Sequence, residues 1–111
     1  MSSPPFTVSI TERAERDLLR IANYYAENVS LDDALAIVDG IRTKIATLEA
    51  FPERGAIPNE VRTVEIRDFR QAIVPPFRIF YLVDARTVSV MMIADGRRDI
   101  ESLLRQRLIG V

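Results

Sequence analysis

The sequence predicts an α+β fold in the order β-α-α-β-β-β, closed by a short helix, with two layers: an antiparallel-rich sheet and a helical hairpin packed on one face of it. Three observations carry this expectation. Residues 6–10 alternate apolar and polar with period two. Residues 12–48 hold two apolar stripes spaced by threes and fours. Residues 61–93 hold β-branched and aromatic runs broken by turn residues. A chain of 111 residues has room for one core, so residues 1–111 are expected to form a single domain.

In the first strand Phe6, Val8 and Ile10 take one face and Thr7 and Ser9 the other. Thr11 then offers an N-cap, and Glu12 an acid in the first turn of a helix reaching about residue 28. Leu18, Ile21, Ala22 and Tyr25 form its apolar stripe. Ser30, with Asp33 three residues on, resembles a capping box for a second helix. The stripe of that helix reads Leu31, Leu35 (or Ala34), Val38, Ile41, Ile45 and Leu48, with Gly40 on the opposite side. So short a link makes the two helices antiparallel.

Residues 51–58 hold two prolines and a glycine and read as a loop. Strand character returns from Val61, where Val64 and Ile66 alternate with Thr63, Glu65 and Arg67, and a second stretch over 69–74 follows with little break, so that three or four strands are expected after the helices. Pro75-Pro76 lacks ladder donors and marks a turn. Residues 77–83 are apolar on both faces apart from Arg78, the pattern of a central strand. Residues 84–86 turn into a strand over 87–93, with Val88, Val90 and Met92 on one face. Residues 94–96 turn again, Gly96 permitting positive φ. A last helix over about 99–108 carries Ile100, Leu103 and Leu104 on one side, and Asp99 is placed to cap it. Late strands joined by short turns are antiparallel. The first strand is expected beside a C-terminal one, because its backbone groups need partners.

Composition narrows function by what it leaves out. There is no cysteine and no histidine, so thiolate chemistry, a disulfide framework and the commonest transition-metal ligands are missing, and neither a metal nor a cofactor is expected. The side chain best suited to proton transfer near neutral pH is missing with them. A net charge of −1 gives no global pull toward nucleic acid or anionic lipid, so direct DNA binding is not expected. No apolar run is long enough to span a bilayer, and residues 1–5 lack the pattern of a signal peptide, so a cytoplasmic protein is expected. Charge is nevertheless uneven. Residues 1–60 carry 6 basic and 10 acidic side chains, and residues 61–111 carry 9 and 6. All but one of the basic residues are arginines, whose planar fork suits carboxylate and phosphate. The later half, and the sheet face opposite the hairpin, are therefore expected to stay free for a macromolecular partner. Arg62, Arg67 and Arg70 form a candidate basic strip there. Ile100, Leu103, Leu104 and Leu108 either pack on the sheet or offer a partner an apolar patch.

Four motifs, in order along almost the whole chain, resemble those of the RelE/ParE toxin superfamily of type II toxin–antitoxin systems. Residues 11–18, with Arg13, Ala14, Asp17 and Leu18, look like its xRAxxDL opening helix. Phe51-Pro52-Glu53-Arg54-Gly55 resembles its FPxxG loop. Residues 74–84 are similar to its YRIxYxVD strand, and Asp95-Gly96-Arg97-Arg98-Asp99 to its HGRRD turn. The resemblance implies a cytoplasmic toxin neutralised by a cognate antitoxin that folds across it.

Within that superfamily the resemblance implies one of two activities: ParE-like binding and arrest of DNA gyrase, without catalysis, or RelE-like cleavage of mRNA on the ribosome. Cleavage needs a proton acceptor, a proton donor and cations on the developing phosphorane. Arg78, Arg97 and Arg98 match positions where the RNases carry basic residues. The tyrosine that many of them place after the paired basics falls near Leu104, and the histidine before the glycine is replaced by Asp95. These departures favour the gyrase-directed branch. The candidate target- or partner-binding residues are Arg67, Arg70, Arg78, Arg97, Arg98 and Leu104. No catalytic residue is assigned, with Arg78, Arg97 and Arg98 as the set if the chain is an RNase. Arg78 has a plainer reading as the partner of a carboxylate such as Glu65 or Asp99. Tyr24, Tyr25 and Tyr81 read as core or rim aromatics.

Overall fold

The computed structural model describes residues 5–61 and 68–109. Strand β1 (Thr7–Ile10) is followed by helices α1 (Glu12–Asn28) and α2 (Leu31–Ala46). Strands β2 (Phe69–Val74), β3 (Phe77–Asp84) and β4 (Thr87–Asp95) and helix α3 (Ile100–Ile109) complete the order. Short 3-10 turns at Thr47–Glu49, Pro52–Arg54 and Asn59–Val61 lie between α2 and β2. Of the strand expected over 61–67, Val61 closes the last of these turns and the remainder lies outside the described residues.

Local chemistry sets the helix starts. Thr11 accepts a hydrogen bond from the Ala14 amide, and Ser30 accepts one from Asp33, each satisfying a donor the first turn leaves free. Buried positions on α1 are Ala14, Asp17 and Leu18, and on α2 Ala34, Ile41 and Ile45. Leu31 and Leu35, expected in the α2 stripe, are instead 64% and 60% exposed. The buried line of α2 runs instead through the small Ala34, 3% exposed, to Ile41 and Ile45.

The sheet order is β1-β4-β3-β2. β2, β3 and β4 are antiparallel neighbours, while β1 lies parallel to β4 with Thr7 opposite Thr87 and Ile10 opposite Val90. The first strand therefore does join the sheet beside the last. On the hairpin face Ala14, Leu18, Ile41, Ile45 and Leu48 meet Ala72, Phe77, Ile79, Tyr81, Val83, Val88, Val90 and Ile93. The other face is not free. Phe69, Phe80, Met92 and Ala94 are covered there by Val61, Ile100 and Leu104 in a second buried cluster. The pattern of β3, apolar on both faces, requires this cover, because a bare apolar sheet face would stand in water.

Two local features depart from the alternation in the sequence. A register shift between Phe80 and Tyr81 pairs Phe80 with Met92 but Tyr81 with Val90, leaving Met91 as the extra residue of a bulge. Val88 and Val90 thus face the hairpin, and Met92 faces the second cluster. Positive φ occurs at Asp68 and Ala85, not at Gly96. Glycine is needed at 96 for space: a Cβ there would lie 2.9 Å from Arg78 Cδ and 3.2 Å from the Pro76 carbonyl oxygen.

β1 leaves the sheet after Ile10, whereas β4 runs on to Asp95. The Thr11 amide and hydroxyl both donate to the Val90 carbonyl, and beyond that point side chains take over the ladder. Asp17, 5% exposed, accepts from the Ile93 amide at 3.0 Å, and Arg107 Nη1 donates to the Met91 carbonyl at 2.7 Å. The two side chains also pair with each other through two bonds, of 2.9 and 3.0 Å. This clamp ties α1, the bulge in β4 and α3 into one unit. Among the described residues no helix is long and apolar enough to cross a membrane.

Candidate target and partner surface

The predicted site residues divide into committed and uncommitted groups. Arg78 rises from β3 on the face opposite the hairpin. Its two terminal nitrogens each donate to a Glu60 carboxylate oxygen at 2.9 Å, and its Nε donates to Gln71 Oε1 at 2.7 Å. The ion pair is largely shielded from water, and the guanidinium sits 4.9 Å over the Phe80 ring. Arg78 in turn holds the Glu60 carboxyl below its ordinary value of 4.5. The partner is thus Glu60, not Asp99; Glu65, the other carboxylate considered, lies outside the described residues. A bidentate carboxylate neutralises the guanidinium and occupies the fork that a phosphate would need.

Arg70 is also spoken for. Its Nε donates to Asp68 at 2.7 Å, and its Nη1 donates to the carbonyls of Glu53 and Gly55 at 2.9 Å each. Tyr81, the cross-strand neighbour of Arg70, donates to the Pro52 carbonyl of the same loop. A Cβ on Gly55 would collide with the Tyr81 hydroxyl and the Gln71 carbonyl. The FPxxG segment is therefore a structural loop, its glycine fixed by close approach and its carbonyls held by Arg70 and Tyr81. Burial pushes the Tyr81 hydroxyl above the ordinary tyrosine range, which makes it a poor proton shuttle. Leu104, expected at the partner surface, is 2% exposed and belongs to the second cluster, so it is withdrawn from that role: its side chain is used in holding α3 to the sheet. Arg67 and Arg62 lie outside the described residues.

The turn between β4 and α3 carries the uncommitted charge. Asp99 accepts from the Ser102 amide and hydroxyl, capping α3 as expected. Arg97 folds back on Asp95, with bonds of 2.9 and 2.6 Å, yet its side chain is 75% exposed. This pairing holds the Asp95 carboxyl below its ordinary range. Arg98 is exposed and pairs with no carboxylate among the described residues. The Arg78 stem lies over Gly96, so Arg78 and the turn adjoin, while Arg70 projects from the other face of the sheet.

The same turn forms one wall of a cleft of about 320 Å³ against α1. Tyr24, Tyr25, Ile21, Phe77 and Ile93 give it an apolar interior; Arg20, Arg97 and Arg98 stand at it as cations, and Asp17 and Asp95 as anions. Tyr25 meets both Tyr24 and Phe77 edge to face, at centroid distances of 5.3 and 5.9 Å. Sequence reasoning missed this cleft, as it missed Glu60 and the Asp17–Arg107 clamp. One signal was available: Asp17 falls inside the apolar stripe of α1, between Ala14 and Leu18, where an unpaired carboxylate would be costly. Among the described residues no three metal-ligating side chains gather.

The family described as ParE toxin of type II toxin-antitoxin system, parDE, matches residues 8–100. In structure the chain is similar to a chain of the chromosomal ParDE toxin–antitoxin system from P. aeruginosa, with a TM-score of 0.68 at 22% identity, covering 84% of this chain and 98% of that one. It is similar to a chain of the toxin–antitoxin complex RelBE2 from Mycobacterium tuberculosis, with a TM-score of 0.60 at 21% identity, covering 82% and 98%. It is also similar to a doubly substituted E. coli toxin RelE in the free state, with a TM-score of 0.65 at 11% identity, covering 96% and 98%. No curated protein matches the chain in sequence. At these identities the likeness to solved structures bears on the fold alone.

Proposed function

We propose, starting from the fact that the chain belongs to the ParE toxin family of type II toxin–antitoxin systems, that it arrests DNA gyrase by binding it, without chemistry of its own, and that a cognate antitoxin neutralises it. The observation that carries the non-catalytic half of this reading is the Arg78–Glu60 pair. A ribonuclease of this fold would draw on Arg78, Arg97 and Arg98 to meet the scissile phosphate, and two of the three already hold carboxylates: Arg78 that of Glu60, and Arg97 that of Asp95, which leaves Arg98 as the one of the set without such a partner. The rest of the chain supports it. Leu104 is buried near the position where many RelE-like RNases carry a tyrosine, Tyr81 is tied to a backbone carbonyl, and the sequence contains no histidine. The antitoxin is supported by the likeness to the ParDE and RelBE2 structures, which are of toxin–antitoxin systems. Action in the cytoplasm belongs to the same reading.

The test reads both activities side by side. Purified protein is added to gyrase with relaxed plasmid, and the protein is expressed alone in growing cells whose transcripts are mapped. Supercoiling is expected to fall with added protein and transcripts to stay intact. Cleaved transcripts with unimpaired supercoiling overturn the proposal in favour of ribosome-dependent mRNA cleavage. Neither effect, with normal growth, overturns it as well.

A further inference from the structure

We propose that the cleft between α1 and the β4–α3 turn is the seat of a short acidic segment of the antitoxin, one apolar side chain entering the aromatic interior and its neighbouring carboxylates meeting Arg20 and Arg98. This rests on the reading of the chain as an antitoxin-neutralised toxin and adds to it a site and a ligand chemistry.

Size, lining and charge each point the same way. A cleft of about 320 Å³ is a concave site at the small end of ligand pockets, sized for one or a few side chains of a partner segment and not for the flat face of a globular partner. Its wall includes Tyr24, 59% exposed, while Phe77 and Ile93 form a buried floor. An exposed tyrosine beside arginines is the composition of an interface anchor, since both carry large contact area and directed donors.

The charges at the mouth do not cancel. Asp17 is answered from inside by the bidentate Arg107, so the Arg20 contact to it, at 3.8 Å, adds little. Asp95 is answered by Arg97. Two guanidiniums therefore remain in surplus, those of Arg20 and Arg98. Arg20 is 71% exposed, and both reach water at the rim. That surplus is complementary to one or two carboxylates flanking an apolar anchor. It does not suit a nucleic-acid strand. A phosphodiester backbone needs a continuous basic track, whereas this cleft has two carboxylates at its wall and α1 continues with Glu27. A segment that folds as it binds meets such a cleft with its own side chains, one pocket at a time.

The experiment uses the full-length toxin and overlapping synthetic 15-residue peptides tiling the antitoxin encoded beside it, with binding read by fluorescence anisotropy. One tile, holding an apolar residue between Asp or Glu residues, is expected to bind, and more weakly at high salt. Its affinity is expected to fall about tenfold or more on Arg98→Glu and on Tyr24→Ala. Arg98→Lys should lose less than Arg98→Glu, and Arg42→Glu, on the far side of the hairpin, should change nothing. Circular dichroism of each variant distinguishes a lost contact from a lost fold; a variant that fails to fold is replaced by Arg20→Glu. The proposal is overturned if every tile binds the Arg98→Glu and Tyr24→Ala proteins as it binds the parent, or if no tile binds. It is also overturned if a single-stranded oligonucleotide competes for the cleft better than any tile. Supercoiling by the parent protein reports separately on the gyrase reading, so either can fail while the other stands.

Discussion

Asp17 shows how one residue can serve two kinds of structure. It lies on the packed side of α1, where its neighbours are apolar, yet it completes the hydrogen bonding of β4 and pairs with Arg107. Removing it strands a buried guanidinium whose Nε already lacks a partner. Asp17→Ala is expected to cost about 3–5 kcal/mol in urea unfolding. Adding Arg107→Leu should recover part of that loss; if the double variant is as unstable as the sum of the singles, the clamp is not a coupled pair. Glu60 gives a pH-dependent counterpart. Its pKa is depressed by Arg78, so its stabilisation is fully present above about pH 4.5, the unfolded value, and is lost as pH falls through the lower folded value. Glu60→Gln should therefore be less stable than the parent at neutral pH, with the gap closing as pH falls below the ordinary value of 4.5. An equal gap on both sides of that value would rule this out. Neither pair could be read from the sequence. Glu60 reaches Arg78 across 18 residues, and Asp17 reaches Arg107 across 90. Local spacing carries no information on such partners, though the misplaced charge within a stripe announced that Asp17 had one.

Elements were more legible than their partners, because caps, stripes and turns act over a few residues. Thr11 and Ser30 cap the helices they precede, and the runs around Phe69, Phe77 and Thr87 become strands. The failures are also local in cause. The β4 run alternates without a break in sequence, yet the bulge at Met91 sends Met92 to the other side, and only pairing with β3 decides that. The β3–β4 hairpin closes on Ala85, whose φ of 53° crowds its Cβ against the backbone. Ala85→Gly is expected to raise stability by about 1 kcal/mol, seen as a higher melting temperature; an unchanged or lower one would mean that the turn carries no strain. In α2 the buried line through Ala34 was one of two readings the spacing allowed, and the larger leucines were the less accurate guide.

At the scale of the whole molecule, the sheet is covered on both sides. The hairpin covers one face, and α3 with the Asn59–Val61 turn covers the other, within extents of 43 × 38 × 22 Å. The expectation of a bare, arginine-bearing face came from reading α3 as peripheral. Half of its residues are apolar, and Ile100 and Leu104 among them meet a sheet face that the pattern of β3 had already marked as apolar. Leu104→Ala is accordingly expected to cost about 2–5 kcal/mol, measured by chemical denaturation. A loss below about 0.5 kcal/mol would return Leu104 to the surface role first assigned to it. At the β4–α3 turn Arg97 and Arg98 are held out into water, and the second cluster fixes the turn's far end through Ile100 and Leu104.

The pairing of β1 with β4 has a bearing on synthesis. Thr7 waits for Thr87, so four-fifths of the chain must leave the ribosome before the opening strand finds its neighbour. Asp17 waits longer still, for Arg107. A fragment that ends before α3 leaves Phe69, Phe80 and Met92 uncovered and Asp17 without its guanidinium, so it is expected to be a substrate for proteolysis.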